Sequence, residues 1–259
     1  MTNALRYEWT RIRTLRSTYW LVGVGLLLTA AVGFILAFVT RDEPLNTEVI
    51  AMTLTGGGDF ATFIPIFMAI IGIFATGHEY RHGLIQPTLT ALPQRSTLMA
   101  AKLLVVSALT VAVVAVSLAI NTGIGAIFWG GLPDFDEPLN QVIPGYFVMV
   151  LLYAIIGLAL AQLFRGVPAA LVVLFVVPLV LEQIIMGLAF IPALDWMVPV
   201  VKFLPFLAAS RLVATQPFEA GPGAPDFAMF DRWQAGGVFG LYVLAILAVA
   251  WFLFQKRDA

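Results

Sequence analysis

His78, Glu79 and His82 form an H-E-x-x-H string, which places two imidazoles four residues apart on one face of a helix. That spacing is the signature of a zinc peptidase, in which both rings bind the metal and the glutamate takes a proton from metal-bound water. A third protein ligand is then required. The chain has no cysteine and only these two histidines, so the third ligand must be a carboxylate, and none lies between Glu79 and Asp134. The same residues, taken with Arg81, Gly83, Pro87, Pro93, Arg95 and Lys102 downstream, also suit the base of a short mechanical lever. Where the membrane lies decides between the two.

At 61% hydrophobic and 11% charged residues, with a mean hydropathy of +0.96, the chain is far from the roughly 25% charge of soluble domains. Apolar stretches at 18–40, 60–77, 98–128, 142–164, 168–191 and 234–255 meet or approach the ~20 helical residues needed to cross ~30 Å of hydrocarbon. They are continuous rather than alternating, which favours helices over a barrel. The expected fold class is an all-α membrane protein with six transmembrane helices in a single domain, 1–259. Leu5, Trp9 and Ile12 recur at helical spacing with Arg6 and Arg13 on another face, so 1–16 is expected to be an amphipathic interfacial helix. The proline-broken apolar stretch 192–210 is too short to cross, and is expected to form a helical hairpin in the outer leaflet before the last span.

Arginine and lysine give the expected orientation. With the N-terminus cytoplasmic, ten of the fourteen basic residues, including Arg6, Arg11, Arg81, Arg95, Lys102 and Lys256, fall inside, and most carboxylates fall outside. Both termini are then cytoplasmic, in a multi-pass protein of a bacterial inner membrane. Asp134, Asp136 and Glu137 lie across the membrane from the histidines, and Glu182 sits about 20 Å into the fifth span. The zinc site therefore lacks its third ligand, and a peptidase using His78, Glu79 and His82 stands as the alternative. Gly56, Gly57 and Gly58 are not a phosphate cradle, because no lysine and serine or threonine follow; they read as a flexible turn into the second span. The net charge of −1 gives no reason to expect nucleic acid as a partner.

Segment 78–97 is expected to lie on the cytoplasmic side and to hold a short, compact helix. Pro87 suits the first turn of a short helix and Pro93 its stop, and Leu89 and Leu92, three apart, form an apolar knob for a partner's groove. Glu79 and Arg81 are expected to anchor its base by pairing with neighbours or with the N-terminal arginines. The string GHEYRHGLIQPTLTALPQRSTLMAAKLLV resembles the segment after the second span of ABC type-2 exporter permeases. Glu79, Arg81, Gly83, Pro93, Arg95 and Lys102 occupy that family's motif positions, and the span layout resembles the family over essentially the whole chain. The resemblance implies a non-enzymatic permease subunit that exports a drug, antibiotic, peptide or lipid. It also implies two copies of a separate ABC ATPase that carry ATP and magnesium, a second permease copy, and no cofactor on this chain.

Within the spans, Glu182, Asn121 and Gln162 are the polar residues most able to mark a pathway. A carboxylate at a helix centre costs about 2.5–3.5 kcal/mol on insertion scales, so Glu182 must face protein or water. It suits either a pathway or the cap of the following hairpin, whereas Asn121 and Gln162 suit contacts between helices. A non-transporting sensor or immunity protein is a third reading.

Overall fold

Backbone in lipid must satisfy its own N–H and C=O groups, and helices do this within one segment. The computed structural model describes residues 1–57, 63–91, 94–189, 191–216 and 229–256, and no strand occurs among them. The elements are α1 (Thr2–Thr14), α2 (Arg16–Val39), α3 (Thr47–Thr55), α4 (Phe63–Arg81), α5 (Ile85–Ala91), α6 (Arg95–Trp129), α7 (Leu139–Phe164) and α8 (Val167–Val176). A π-helical turn (Val177–Leu181) joins α8 to α9 (Glu182–Ala189). A 3-10 turn (Pro192–Met197), α10 (Val198–Val201), α11 (Pro205–Ser210) and α12 (Arg232–Lys256) complete the order. Among the described residues six helices are long and apolar enough to cross a membrane: α2, α4, α6, α7, the continuous α8–α9 and α12. The chain is an all-α, multi-pass membrane protein.

Span limits shift where a charged residue is absorbed into a helix. The second span, expected at 60–77, continues as α4 to Arg81, so His78 and Glu79 occupy its last turns rather than a loop; 60–62 fall outside the described residues. The third, expected at 98–128, is α6 and begins at Arg95. Its 35 residues make it about 52 Å long, well beyond the hydrocarbon thickness. Before the second span, residues expected to be loop form α3, whose first turn is capped by Asn46 accepting from Val49 N at 2.8 Å. Gly56 ends α3 with φ +76°, a left-handed conformation that glycine tolerates. The fifth span carries Pro178, which has no N–H to donate, and the π-turn widens the helix there.

Burial identifies the central pair. In α4 and α7, 61% of the apolar window is buried, against 22% in α2, 17% in α8–α9 and 22% in α12. Close approach of α4 and α7 depends on small residues: a Cβ at Gly72 would strike the carbonyl oxygen of Ala154, and one at Gly157 that of Ala69. The expected hairpin at 192–210 is present as a 3-10 turn followed by α10 and α11. Its end reaches α7, where a Cβ at Gly145 would strike Leu212 O.

Candidate functional site

A charged cluster lies where α1 crosses the ends of α4 and α6. Lys102 Nζ donates to Glu8 Oε1 at 2.7 Å, to Glu79 Oε1 at 2.8 Å and to the Ala75 carbonyl at 3.2 Å. Arg11 donates to Glu79 Oε1 and to the same carbonyl, and lies 3.5 Å from Glu8 Oε2. Two carboxylates thus meet two cations with no excess charge. The side chains of Glu8, Glu79 and Lys102 are at most 2% exposed. Burial pushes the Glu8 carboxyl above the usual carboxylate range, while Lys102 and Arg11 pull it back down. Such a neutral buried set holds three helices in one register, because no member can leave without stranding another.

The short helix α5 belongs to the same assembly. After Gly83, at φ +65°, the chain turns into α5, with Pro87 third in the helix, where its missing N–H has no intrahelical partner to lose. Ile85 and Thr88 are buried, and Thr88 Oγ1 lies 3.1 Å from Tyr7 Oη of α1. The hydrogen bond joins α5 to α1 at Tyr7, and Glu8 and Arg11 of α1 in turn bind Lys102 of α6 and Glu79 of α4.

Several expected members behave differently. Glu79 pairs with Arg11 as expected, but Arg81 is exposed and makes no ion pair among the described residues, since the helix turn carrying Glu79 inward points Arg81 outward. Leu89 is not a free knob: it is half-buried against the chain's own core. The exposed side is made instead by Gln86, Pro87, Thr90 and Ala91 of α5 and by Leu84 just before it. Leu92 and Pro93 lie outside the described residues. Arg95 binds the far end of the chain, donating to Phe254 O at 2.9 Å at the carbonyl end of α12. In α1 the face buried in the protein is Ala4, Glu8 and Ile12, and Trp9 of the expected apolar stripe is half exposed.

His78 stacks on Phe74 with ring centroids 4.3 Å apart, and His82 Nδ1 lies 2.9 Å from His78 O. Glu79 turns away from both rings into the cluster. Among the described residues no group of three histidine, cysteine or carboxylate side chains is placed to hold a metal ion.

Glu182 caps the hairpin. Its two oxygens accept from Phe206 N at 2.8 Å and Leu207 N at 2.9 Å, the otherwise unsatisfied amides at the start of α11. At the other end, Arg232 donates to Leu212 O at 2.6 Å and Ala214 O at 2.7 Å. A negative group at the amide end and a positive one beyond the carbonyl end both suit the helix dipole. We expect Glu182→Gln to place an NH2 donor against a backbone donor and lower stability by about 1–3 kcal/mol, read as a fall in unfolding midpoint of the detergent-solubilised protein. An unchanged midpoint contradicts the cap. Asn121 Nδ2 donates to Leu54 O at 3.0 Å and fastens α3 to α6; Gln162 Nε2 donates to Tyr80 Oη at 2.7 Å and fastens α7 to α4.

Sequence reasoning passed over Glu8 and Arg232. For Glu8 a signal existed: it is the one acid in an arginine-rich helix, and it shares the i, i+4, i+8 face of Ala4 and Ile12. Arg232 gave none, because its partners are backbone carbonyls 20 and 18 residues earlier. No protein-family model matches the chain, and no curated protein matches it as a relative.

Proposed function

We propose that this chain is the membrane-spanning permease subunit of an ATP-driven exporter of the ABC type-2 kind, moving a hydrophobic or amphipathic compound out of the cell. The observation that carries the reading is the short helix α5, exposed on one side and tied on the other through Tyr7, Glu8 and Arg11 to Glu79 and Lys102 of two spans. A lever needs a free contact surface and a stiff root, and α5 with its cluster supplies both. The drive comes from a separate ATPase, two copies of which carry ATP and magnesium, pressing on the Leu84, Pro87 and Ala91 side of α5. A second permease copy completes the exporter, and both termini face the cytoplasm. The low charge of the spans favours a hydrophobic cargo, with lipid, drug, antibiotic and peptide as the classes it fits.

The contact is tested by capture. Tagged chain drawn from its host's own membranes in mild detergent is expected to bring down an ATP-binding subunit. Leu84→Asp and Ala91→Asp, both at exposed positions, are expected to cut that recovery about tenfold or more without moving the unfolding midpoint, as loss of an interface anchor does. Equal recovery by both variants removes α5 as the contact. Tyr7→Phe takes away one hydroxyl outside that surface, so capture is expected to persist while ATP-driven export falls severalfold. Unchanged export contradicts the transmission through α1.

A further inference from the structure

A cavity of about 400 Å³ lies between α4, α7, the α8–α9 span and α11, within the roughly 300–1,000 Å³ of small-molecule sites. Its inner wall is built from Met149, Tyr153, Leu174 and Phe206, all buried, and its outer rim from Phe175, Leu179 and Gln183, all exposed. The rim follows the π-turn, where the widened helix around Pro178 borders the opening. Among the polar groups facing this space, most are already engaged. Glu182 accepts two backbone N–H groups, Ser210 Oγ donates to Leu207 O, Gln183 Nε2 donates to Pro178 O and Arg211 donates to Gln216 O.

Tyr153 is different. The residue is 8% exposed and its ring is fixed against Phe206 and Phe239, with centroids 5.5 and 5.4 Å away. Its hydroxyl makes no hydrogen bond among the described residues. A phenol hydroxyl is normally partnered by protein or water, so one without a protein partner at the wall of a largely apolar cavity offers a donor to a ligand oxygen.

We propose that this cavity binds a neutral, mainly apolar molecule bearing one hydrogen-bond acceptor, a carbonyl or ether oxygen, which takes the Tyr153 O–H while the apolar body packs on Met149, Leu174 and Phe206. Charge is selected against, because both oxygens of Glu182 already accept backbone N–H groups and an ion entering from lipid carries a desolvation cost that the apolar wall does not offset. The inference deepens the exporter reading and rests on it for its meaning as a cargo site. Binding itself is a property of this chain alone.

Benzophenone is a suitable probe, being a neutral aryl ketone with one acceptor oxygen that inserts into nearby C–H bonds on irradiation and favours methionine. With the full chain in lipid nanodiscs, adducts mapped by mass spectrometry are expected to saturate with probe concentration at Met149 or Met186, both of which line the cavity. Tyr153→Phe, which removes only the hydroxyl, is expected to weaken that labelling about two- to tenfold. Leu179→Trp, at a rim position 67% exposed, is expected to suppress it by narrowing the mouth. Adducts spread along outward side chains such as Leu241 and Leu244, or cavity adducts that Tyr153→Phe leaves unchanged, overturn the proposal. Cavity labelling without ATP-driven export would instead leave the site standing and remove the exporter reading, whereas export without cavity labelling would remove the site alone.

Discussion

Lys102→Met is expected to destabilise the fold by about 3–5 kcal/mol, among the largest effects of any single substitution in the chain. Lys102 is 1% exposed and, among the described residues, is the one group that hydrogen-bonds to both Glu8 and Glu79, so its loss leaves two buried carboxylates sharing the single charge of Arg11. The loss is expected as a lowered unfolding midpoint and poor recovery from the membrane. The double variant Glu8→Gln with Lys102→Met removes one charge of each sign, leaving Glu79 with Arg11, and is expected to regain much of the stability. A double variant no more stable than Lys102→Met would show that packing of the lysine stem, and not charge balance, holds α1 to the spans.

Gly157→Leu is expected to prevent the α4–α7 pair from closing. A side chain there meets the carbonyl oxygen of Ala69, which belongs to the helix backbone and cannot rotate aside. The cost should therefore exceed the roughly 1–3 kcal/mol of ordinary overpacking against movable side chains. Because α4 and α7 are the most buried spans, the protein is expected to emerge as aggregate on size-exclusion chromatography. Gly240→Leu, on α12 where a Cβ meets nothing within 4 Å, is the control and is expected to remain monodisperse. Equal behaviour of the two variants contradicts a backbone-to-backbone contact at Gly157.

Hydropathy alone was enough to read the six spans, since a stretch of some twenty apolar residues has few other uses. Their ends were harder, because the charges that mark them to the eye are neutralised in three dimensions. Lys102 reads as a basic residue opening a helix, yet it lies seven residues inside α6 with carboxylates from two other helices around it. Glu79 was legible as an anchor and Arg11 as one of its candidate partners. Glu8 was not, since an isolated acid among arginines looks like a surface residue until its face of α1 is known to be the buried one. At Glu182 the sequence favoured a cap over a pathway group; the partners that make it a cap are backbone amides 24 and 25 residues later, which no side-chain pattern reveals. Leu89 misled for the complementary reason. Spacing shows that two leucines share a face, but not whether that face turns outward or back against the chain's own helices.

The coupling of α5 to a separate ATPase is tested most directly by hydrolysis in vesicles. Chain and captured ATPase are reconstituted together, and ATP turnover is compared with that of the ATPase alone and with vesicles carrying Leu84→Asp. The expected result is turnover raised severalfold by the wild-type chain and returned to the free-ATPase rate by the variant. Turnover indifferent to the chain, or raised equally by the folded Leu84→Asp protein, would contradict a lever at α5.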